Sequence, residues 1–281
     1  MTADVGTLLV ACPDRKGIVA SLAQVLYGHG ANILDSDQHT DPVAALFFQR
    51  IRFDMASLTT DRVSLEAGIR EVATRFAMEY GIAYEHQTKR VAVFASKQEH
   101  CLYDLLIRYR AGELPCELAM VISNHEVAAP IARHFDVPFH YLPITDKQQQ
   151  ESAALALVKD CDLLVLARYM QILSPAFVAQ FPSRIINIHH SFLPAFVGAN
   201  PYRQAFVRGV KIVGATSHYV TNELDEGPII EQDVLRCTHS DSIDDLVRKG
   251  RDVEKRVLAS AVRWHLEDRI LVYAGKTVVF D

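Results

Sequence analysis

Nothing in the sequence offers a membrane span: no apolar run reaches the roughly 18–20 residues that crossing a bilayer requires. The N-terminus, Met1-Thr2-Ala3-Asp4, lacks the positive region and small-residue cleavage site of a signal peptide, so none is expected. Cysteine is sparse and shows no pairing pattern. The five thiols, Cys12, Cys101, Cys116, Cys161 and Cys237, are scattered, odd in number and without any CxxC spacing. Such usage argues for reduced thiols in a cytoplasmic protein and against a disulfide framework or zinc ribbon. A basic excess is missing too, since 29 Lys and Arg stand against 34 Asp and Glu, a formal charge of −5. Counterion release then has little to work with, and neither a nucleic-acid nor a membrane partner is expected.

What is present points to an ordinary globular protein. Hydrophobic residues make up 49% and charged residues 22% of 281, enough to bury a core and too apolar for global disorder. At roughly 100–200 residues per domain, that length predicts two domains or one large one.

The first 86 residues carry one pattern. Thr7–Cys12 is a short apolar run ending at Pro13-Asp14-Arg15-Lys16-Gly17, which reads as a strand and a loop. Ile18, Val19, Leu22, Ala23 and Leu26 follow at helical spacing, stopped by Gly28 and Gly30. Residues 31–39 and 44–53 read as strands joined by a turn at Asp41-Pro42. Val63, Ile69, Val72 and Phe76 mark a second helix ending near Gly81, and residues 82–86 a last strand. The order βαββαβ is that of a ferredoxin-like sandwich.

From residue 87 the pattern changes. Near-continuous apolar runs at 90–95, 116–123, 137–142 and 163–167 read as buried parallel strands. Helical stretches at 102–109, 126–135 and 149–159 separate them, so an α/β, doubly wound, mostly parallel sheet is predicted over 87–281. Ser174-Pro175 opens a further helix, and 242–267 reads as a long one capped by Ser240 or Asp241.

The segment richest in chemistry begins at Arg184. Asn187 and His189 lie two apart on a strand and so share a face, at the carboxyl end where open α/β sheets place ligands. An amide NH₂ beside an imidazole can donate two hydrogen bonds to one developing oxyanion, and the histidine can also carry protons. A carboxylate to orient it is expected on a nearby loop, and Asp225, beyond a strand at 211–219, is the candidate. A purely structural Asn–His hydrogen-bond cluster is the competing reading. A metal at His189-His190, with His218 and His239 in reserve, is disfavoured because strand neighbours point to opposite faces and no HExxH spacing exists. No GxSxG elbow accompanies a serine, no partnered base accompanies Cys101, and Gly28-His29-Gly30 follows a helix rather than a strand.

Asn187-Ile188-His189-His190-Ser191-Phe192-Leu193-Pro194, then Val213-Gly214-Ala215-Thr216 and Leu224-Asp225-Glu226-Gly227-Pro228, resemble the folate-dependent formyltransferase family over residues 90 to about 275. The resemblance implies that Asn187, His189 and Asp225 are catalytic. It also implies a folate pocket from Tyr169-Met170-Gln171-Ile172-Leu173-Ser174 and the turn after 219, with Met170, Ile172, Leu173, Val220 and Leu224 against the pterin. Asp14-Arg15-Lys16-Gly17-Ile18-Val19 and the βαββαβ order resemble an ACT regulatory domain. An ACT domain ahead of a formyltransferase domain is the arrangement of the family's deformylases. That implies hydrolysis of 10-formyltetrahydrofolate, returning formate for purine synthesis and balancing the one-carbon pool. No metal or other cofactor is implied, because the folate is itself the substrate. One departure supports water as acceptor: where the family's transformylases have a glycine-rich phosphate loop, this chain has Ala95-Ser96-Lys97-Gln98-Glu99-His100. The alternatives are a formyltransferase and a non-catalytic folate or amino-acid sensor. For the ACT part, an amino-acid effector held by Asp14, Arg15, Gly17 and Asn32 is expected, together with homo-oligomer contacts, a dimer or tetramer.

Overall fold

The computed structural model describes residues 4–195 and 201–280, and Met1–Ala3 of the N-terminal reading fall outside that span. The chain divides into one unit of 1–88 with 268–273 and 277–281, and a second of 89–267 with 274–276.

In the first unit, strand β1 (Val5–Pro13), helix α1 (Ile18–Gly28), strands β2 (Asn32–Asp41) and β3 (Leu46–Asp54), helix α2 (Arg62–Phe76) and strand β4 (Glu79–Tyr84) give the expected order. The sheet runs β2-β3-β1-β4, with β1 antiparallel to both β3 and β4. Ile18, Leu22 and Leu26 of α1 and Leu65, Ile69 and Val72 of α2 pack with Leu8, Val10, Ile51 and Phe53 of the sheet. The second helix stops earlier than Gly81. Ala77 adopts a left-handed φ of 53° and Met78 N–H donates to Ala73 O at 2.8 Å, which closes the helix end and leaves Gly81 inside β4.

The C-terminal end groups differently from the expected 87–281 span. The Tyr273 ring lies 4.5 Å from that of Phe48, and the Arg50 guanidinium donates to Asp268 O at 2.9 Å. Asp268 and Tyr273 thereby cover β3 side chains on the first unit's sheet.

The second unit contains β5 (Lys89–Ala95), α3 (His100–Arg110), β6 (Cys116–Ser123), α4 (Ala129–His134), β7 (Phe139–Tyr141), α5 (Lys147–Val158), β8 (Leu163–Ala167), α6 (Pro175–Val178) and β9 (Ile185–His189). It continues through α7 (Pro201–Arg208), β10 (Ile212–Tyr219), β11 (Ile229–Arg236) and α8 (Ile243–Leu266), and the chain closes with β12 (Ile270–Tyr273) and β13 (Lys276–Val279). The sheet order is β11-β10-β9-β8-β5-β6-β7, parallel from β9 to β7 and antiparallel at β10 and β11. The α8 cap is Ser242 rather than Ser240 or Asp241. Its hydroxyl accepts from Asp245 N–H at 3.1 Å while the Asp245 carboxylate accepts from Ser242 N–H at 3.0 Å. Among the described residues no helix is long and apolar enough to cross a membrane.

The turn from β10 to β11 is tight because Gly227 lies against backbone. A Cβ built there would meet the Tyr219 carbonyl oxygen, whereas one on Gly28 in α1 would meet nothing. Gly227→Ala should therefore cost about 1–3 kcal/mol in urea unfolding, while Gly28→Ala should be neutral or stabilising by up to about 1 kcal/mol. Equal stability of the two variants would contradict this packing.

Candidate active site

Asn187 and His189 stand at the carboxyl end of β9, where the parallel part of the sheet stops. The antiparallel register with β10 puts His218 opposite Asn187 and Thr216 opposite His189. His218 Nδ1 lies 2.9 Å from the Tyr219 carbonyl oxygen, so that nitrogen donates. In neutral His218 the other nitrogen is bare, and Nε2 accepts from Asn187 Nδ2 at 3.2 Å. One amide N–H of Asn187 is thus committed, which fixes the side chain and aims the second N–H elsewhere.

His189 is only 6% exposed. Its Nδ1 faces Asp225 Oδ2 at 3.1 Å, and its Nε2 is buried with no hydrogen-bond partner among the described residues. Leaving a buried nitrogen unpaired is unfavourable unless a ligand completes it. Asp225 also approaches His218 Nε2, at 3.7 Å. The hydrogen bond from His189 holds the Asp225 carboxyl well below the usual carboxylate range against the opposing effect of burial. The group is therefore a carboxylate at any pH near neutrality.

Local structure holds these parts in place. Asp225 sits in the left-handed region, φ 59°, which aspartate tolerates better than most residues. The chain leaving His189 is pinned by Thr216, whose hydroxyl donates to Ser191 O at 2.9 Å and accepts from Leu193 N–H at 3.0 Å. Gln232 of β11 donates to both Thr216 Oγ1 and Leu193 O, at 2.9 and 3.0 Å.

A cavity of about 450 Å³ opens beside this group. It is lined by Asn187, His189 and Asp225 and by all five residues expected to hold the pterin: Met170, Ile172, Leu173, Val220 and Leu224. Met170, Ile172 and Leu224 are 60%, 62% and 58% exposed, an apolar rim that a flat ring system would cover. Tyr169, buried beneath, accepts from Gln150 Nε2 at 2.8 Å, and Ser174 N–H donates to Glu151 at 2.8 Å, so the lining loop is anchored at both ends.

The residues expected to hold an effector are not gathered in the same way. Gly17 caps α1 with φ 94° and lines a cavity of about 650 Å³ between α1 and α2. Asp14, Arg15 and Asn32 are exposed and lie outside that lining.

The comparisons with known proteins follow this geometry. Residues 89–262 match the model of the formyl transferase family and residues 6–75 that of the ACT domain. The formyltetrahydrofolate deformylase of Synechocystis sp. is 54% identical over 98% of both chains. A crystal structure of a formyltetrahydrofolate deformylase from Pseudomonas syringae superposes with a TM-score of 0.96 at 47% identity, covering 100% of this chain and 96% of that one. The chain belongs to the formyltetrahydrofolate deformylase family. The family's wider kinship is visible in glycinamide ribonucleotide transformylase 1 from Symbiobacterium toebii, with a TM-score of 0.67 and 31% identity over 70% of this chain and 97% of that one.

Two features of this deformylase-family site were not singled out from sequence. From sequence His218 is no more than a reserve metal ligand, because its contact with Asn187 depends on the β9–β10 register. Arg168, which lines the cavity, follows directly on the apolar strand β8, and a charged residue at that place is itself a signal of the ligand end.

His190, beside His189, is held down to about 4 by burial first and by the Arg168 charge second. His265 is held down to about 3 by burial, with Lys89 and Arg184 adding to it, and its Nδ1 lies 2.7 Å from the Tyr219 hydroxyl. Both are neutral when folded, and in the unfolded chain each takes up a proton near the ordinary value of 6.5. Their contribution is complete above that value and is lost as pH falls towards about 4 for His190 and about 3 for His265, at about 1.4 kcal/mol per pH unit for each group. Urea midpoints should decline over this window, and His265→Gln should flatten the decline. An unchanged slope in the variant would contradict the buried neutral histidine.

Proposed function

We propose that the chain hydrolyses 10-formyltetrahydrofolate to formate and tetrahydrofolate. The observation that carries the reading is the meeting of Asn187, His189 and Asp225 at one end of an apolar-rimmed cavity, in a chain whose full-length relatives are deformylases. The pterin lies against Met170, Ile172, Leu173, Val220 and Leu224, with the N-formyl carbon at the Asn187–His189 end. The free N–H of Asn187 and a proton on His189 Nε2 donate to the formyl oxygen as water adds to the carbon. Asp225 stabilises the charge on the imidazole and orients the water, accepting hydrogen bonds on the lone pairs that His189 leaves free. The water oxygen bonds to the formyl carbon, the C–N bond breaks, and a proton ends on the folate nitrogen. All three proton-handling groups come from the chain, and the reading needs no metal or further cofactor.

The reading extends to a cytoplasmic enzyme working as a dimer or tetramer. Its first unit is an effector module of the amino-acid-binding kind, consistent with the match to the ACT domain and with the cavity between α1 and α2. Calorimetry of the intact protein with free amino acids should show saturable heat for at least one. Heat with none of the twenty leaves the module an architectural one.

A transferase is the second reading, favoured by the likeness to glycinamide ribonucleotide transformylase. Formate release from 10-formyltetrahydrofolate with no amine acceptor present separates the two. Release is expected, and Asn187→Ala, His189→Ala and Asp225→Ala should each lower kcat by about 10²–10⁴ with the fold intact. Silence without an acceptor and turnover with one would replace hydrolysis by transfer. Binding of the folate with no turnover under either condition would reduce the protein to a sensor.

A further inference from the structure

A second cavity, of about 230 Å³, lies across Arg168 and His190 from the first, and these two residues line both. Its lining is cationic. Three guanidinium groups, Arg168, Arg203 and Arg251, line it against a single carboxylate, Glu254.

That carboxylate is already occupied. Glu254 is 1% exposed, accepts from the Tyr202 hydroxyl at 2.6 Å, bonds His100 Nε2 at 2.8 Å and pairs with Arg168 Nε at 3.4 Å. His100, Cys101 and Glu254 bring potential metal-ligating atoms within 4.8 Å of one another. A cation there would have to share Glu254 with the guanidinium of Arg168, and burial pushes the Cys101 thiol up, away from the thiolate a metal needs. The cluster is an ion-pair network, and what it leaves over is positive charge.

Arg168 shows where that charge is available. Its backbone is in the left-handed region at φ 60°, its side chain is 11% exposed, and Nε and Nη1 are buried without hydrogen-bond partners among the described residues. The 3.4 Å approach to Glu254 supplies charge balance without a hydrogen bond. Buried guanidinium donors call for an acceptor, and a planar carboxylate matches their fork.

We propose that this second cavity is a carboxylate site that receives the formate product, with Arg168 as its principal donor and Arg251 and Arg203 at its rim. The inference rests on the hydrolytic reading above. Formate is generated at Asn187 and His189 while tetrahydrofolate still fills the apolar cavity. The wall of His190 and Arg168 is the boundary across which the small anion can pass without displacing the pterin. Neutral His190 adds no competing charge to that wall.

The test is a titration of the folate-free, full-length protein with ¹³C-formate, read by NMR line width. Saturable binding is expected, together with inhibition of turnover by formate. Arg168→Gln alone leaves Glu254 with less compensation and endangers the fold, so the informative variant is the double substitution Arg168→Gln with Glu254→Gln, which removes both charges. It should weaken formate binding at least about tenfold, the effect of losing one charged hydrogen bond. Arg251→Gln, on the exposed rim, should weaken it less, with the network intact. Unchanged affinity in the double variant, no saturable binding to the wild type, or inorganic phosphate displacing formate at lower concentration would each overturn the assignment. A protein that hydrolyses the folate but fails to bind formate rejects this site alone. One that binds formate but never hydrolyses rejects the parent reading.

Discussion

The hydrogen bond between His189 Nδ1 and Asp225 Oδ2 is the contact on which the rest of the site depends. It joins two pieces of chain 36 positions apart, the end of β9 and the turn before β11, and it decides which imidazole nitrogen faces the cavity. The antiparallel edge makes the pair possible. Because β10 runs antiparallel to β9, from Thr216 beside His189 to Tyr219 beside Ile186, the turn that follows starts at the far end of β9 and carries Asp225 back to the His189 ring. The close approach of Gly227 to Tyr219 and the network of Thr216, Gln232 and Leu193 then remove the freedom that this turn and the loop after β9 would otherwise have.

Electrostatic roles around the pair are separated by environment. Asp225 keeps its charge because the His189 N–H faces it, whereas His190, next in sequence to His189, stays neutral because it is buried beside Arg168. Glu254 is more deeply buried than Asp225, yet its carboxyl also lies below its ordinary value. Burial opposes ionisation there, but the His100 hydrogen bond and the Arg168 charge outweigh it. Two carboxylates therefore face opposite sides of one wall. Asp225 holds the His189 ring, and Glu254 anchors α8 to the loop that follows β8.

Much of this was legible in the residues themselves. Alternation along Ile185–His189 puts Asn187 and His189 on one face without any tertiary knowledge, and apolar side chains in a loop at a strand end mark a slot for a flat ligand. The buried parallel strands were plain because both faces are covered and polar residues are few. Edge strand β11 was not, since Ile229-Ile230-Glu231-Gln232-Asp233-Val234-Leu235-Arg236 has neither a continuous apolar run nor strict alternation. The role of His218 depends on inter-strand register, which is settled by pairing across some 30 residues of intervening chain. The C-terminal hairpin was missed for a related reason. Its short strands carry little pattern, and their placement follows from an exposed sheet face elsewhere that Tyr273 and Asp268 happen to satisfy. In the first unit, reading a loop before a helix as a ligand site identified Gly17 but said nothing of where Asp14, Arg15 and Asn32 would point.

The account turns on one nitrogen. If Asp225 sets the orientation of His189, Nδ1 carries the proton that is shared with the carboxylate, and Nε2 is the atom presented to the formyl oxygen. Nitrogen-15 chemical shifts of the His189 ring, assigned by comparison with His189→Gln, report this directly. The account predicts a protonated, hydrogen-bonded Nδ1 at every pH at which formate is released, and loss of that signature in Asp225→Ala. A bare Nδ1 in the active wild-type protein, with the proton on Nε2 alone, would contradict it.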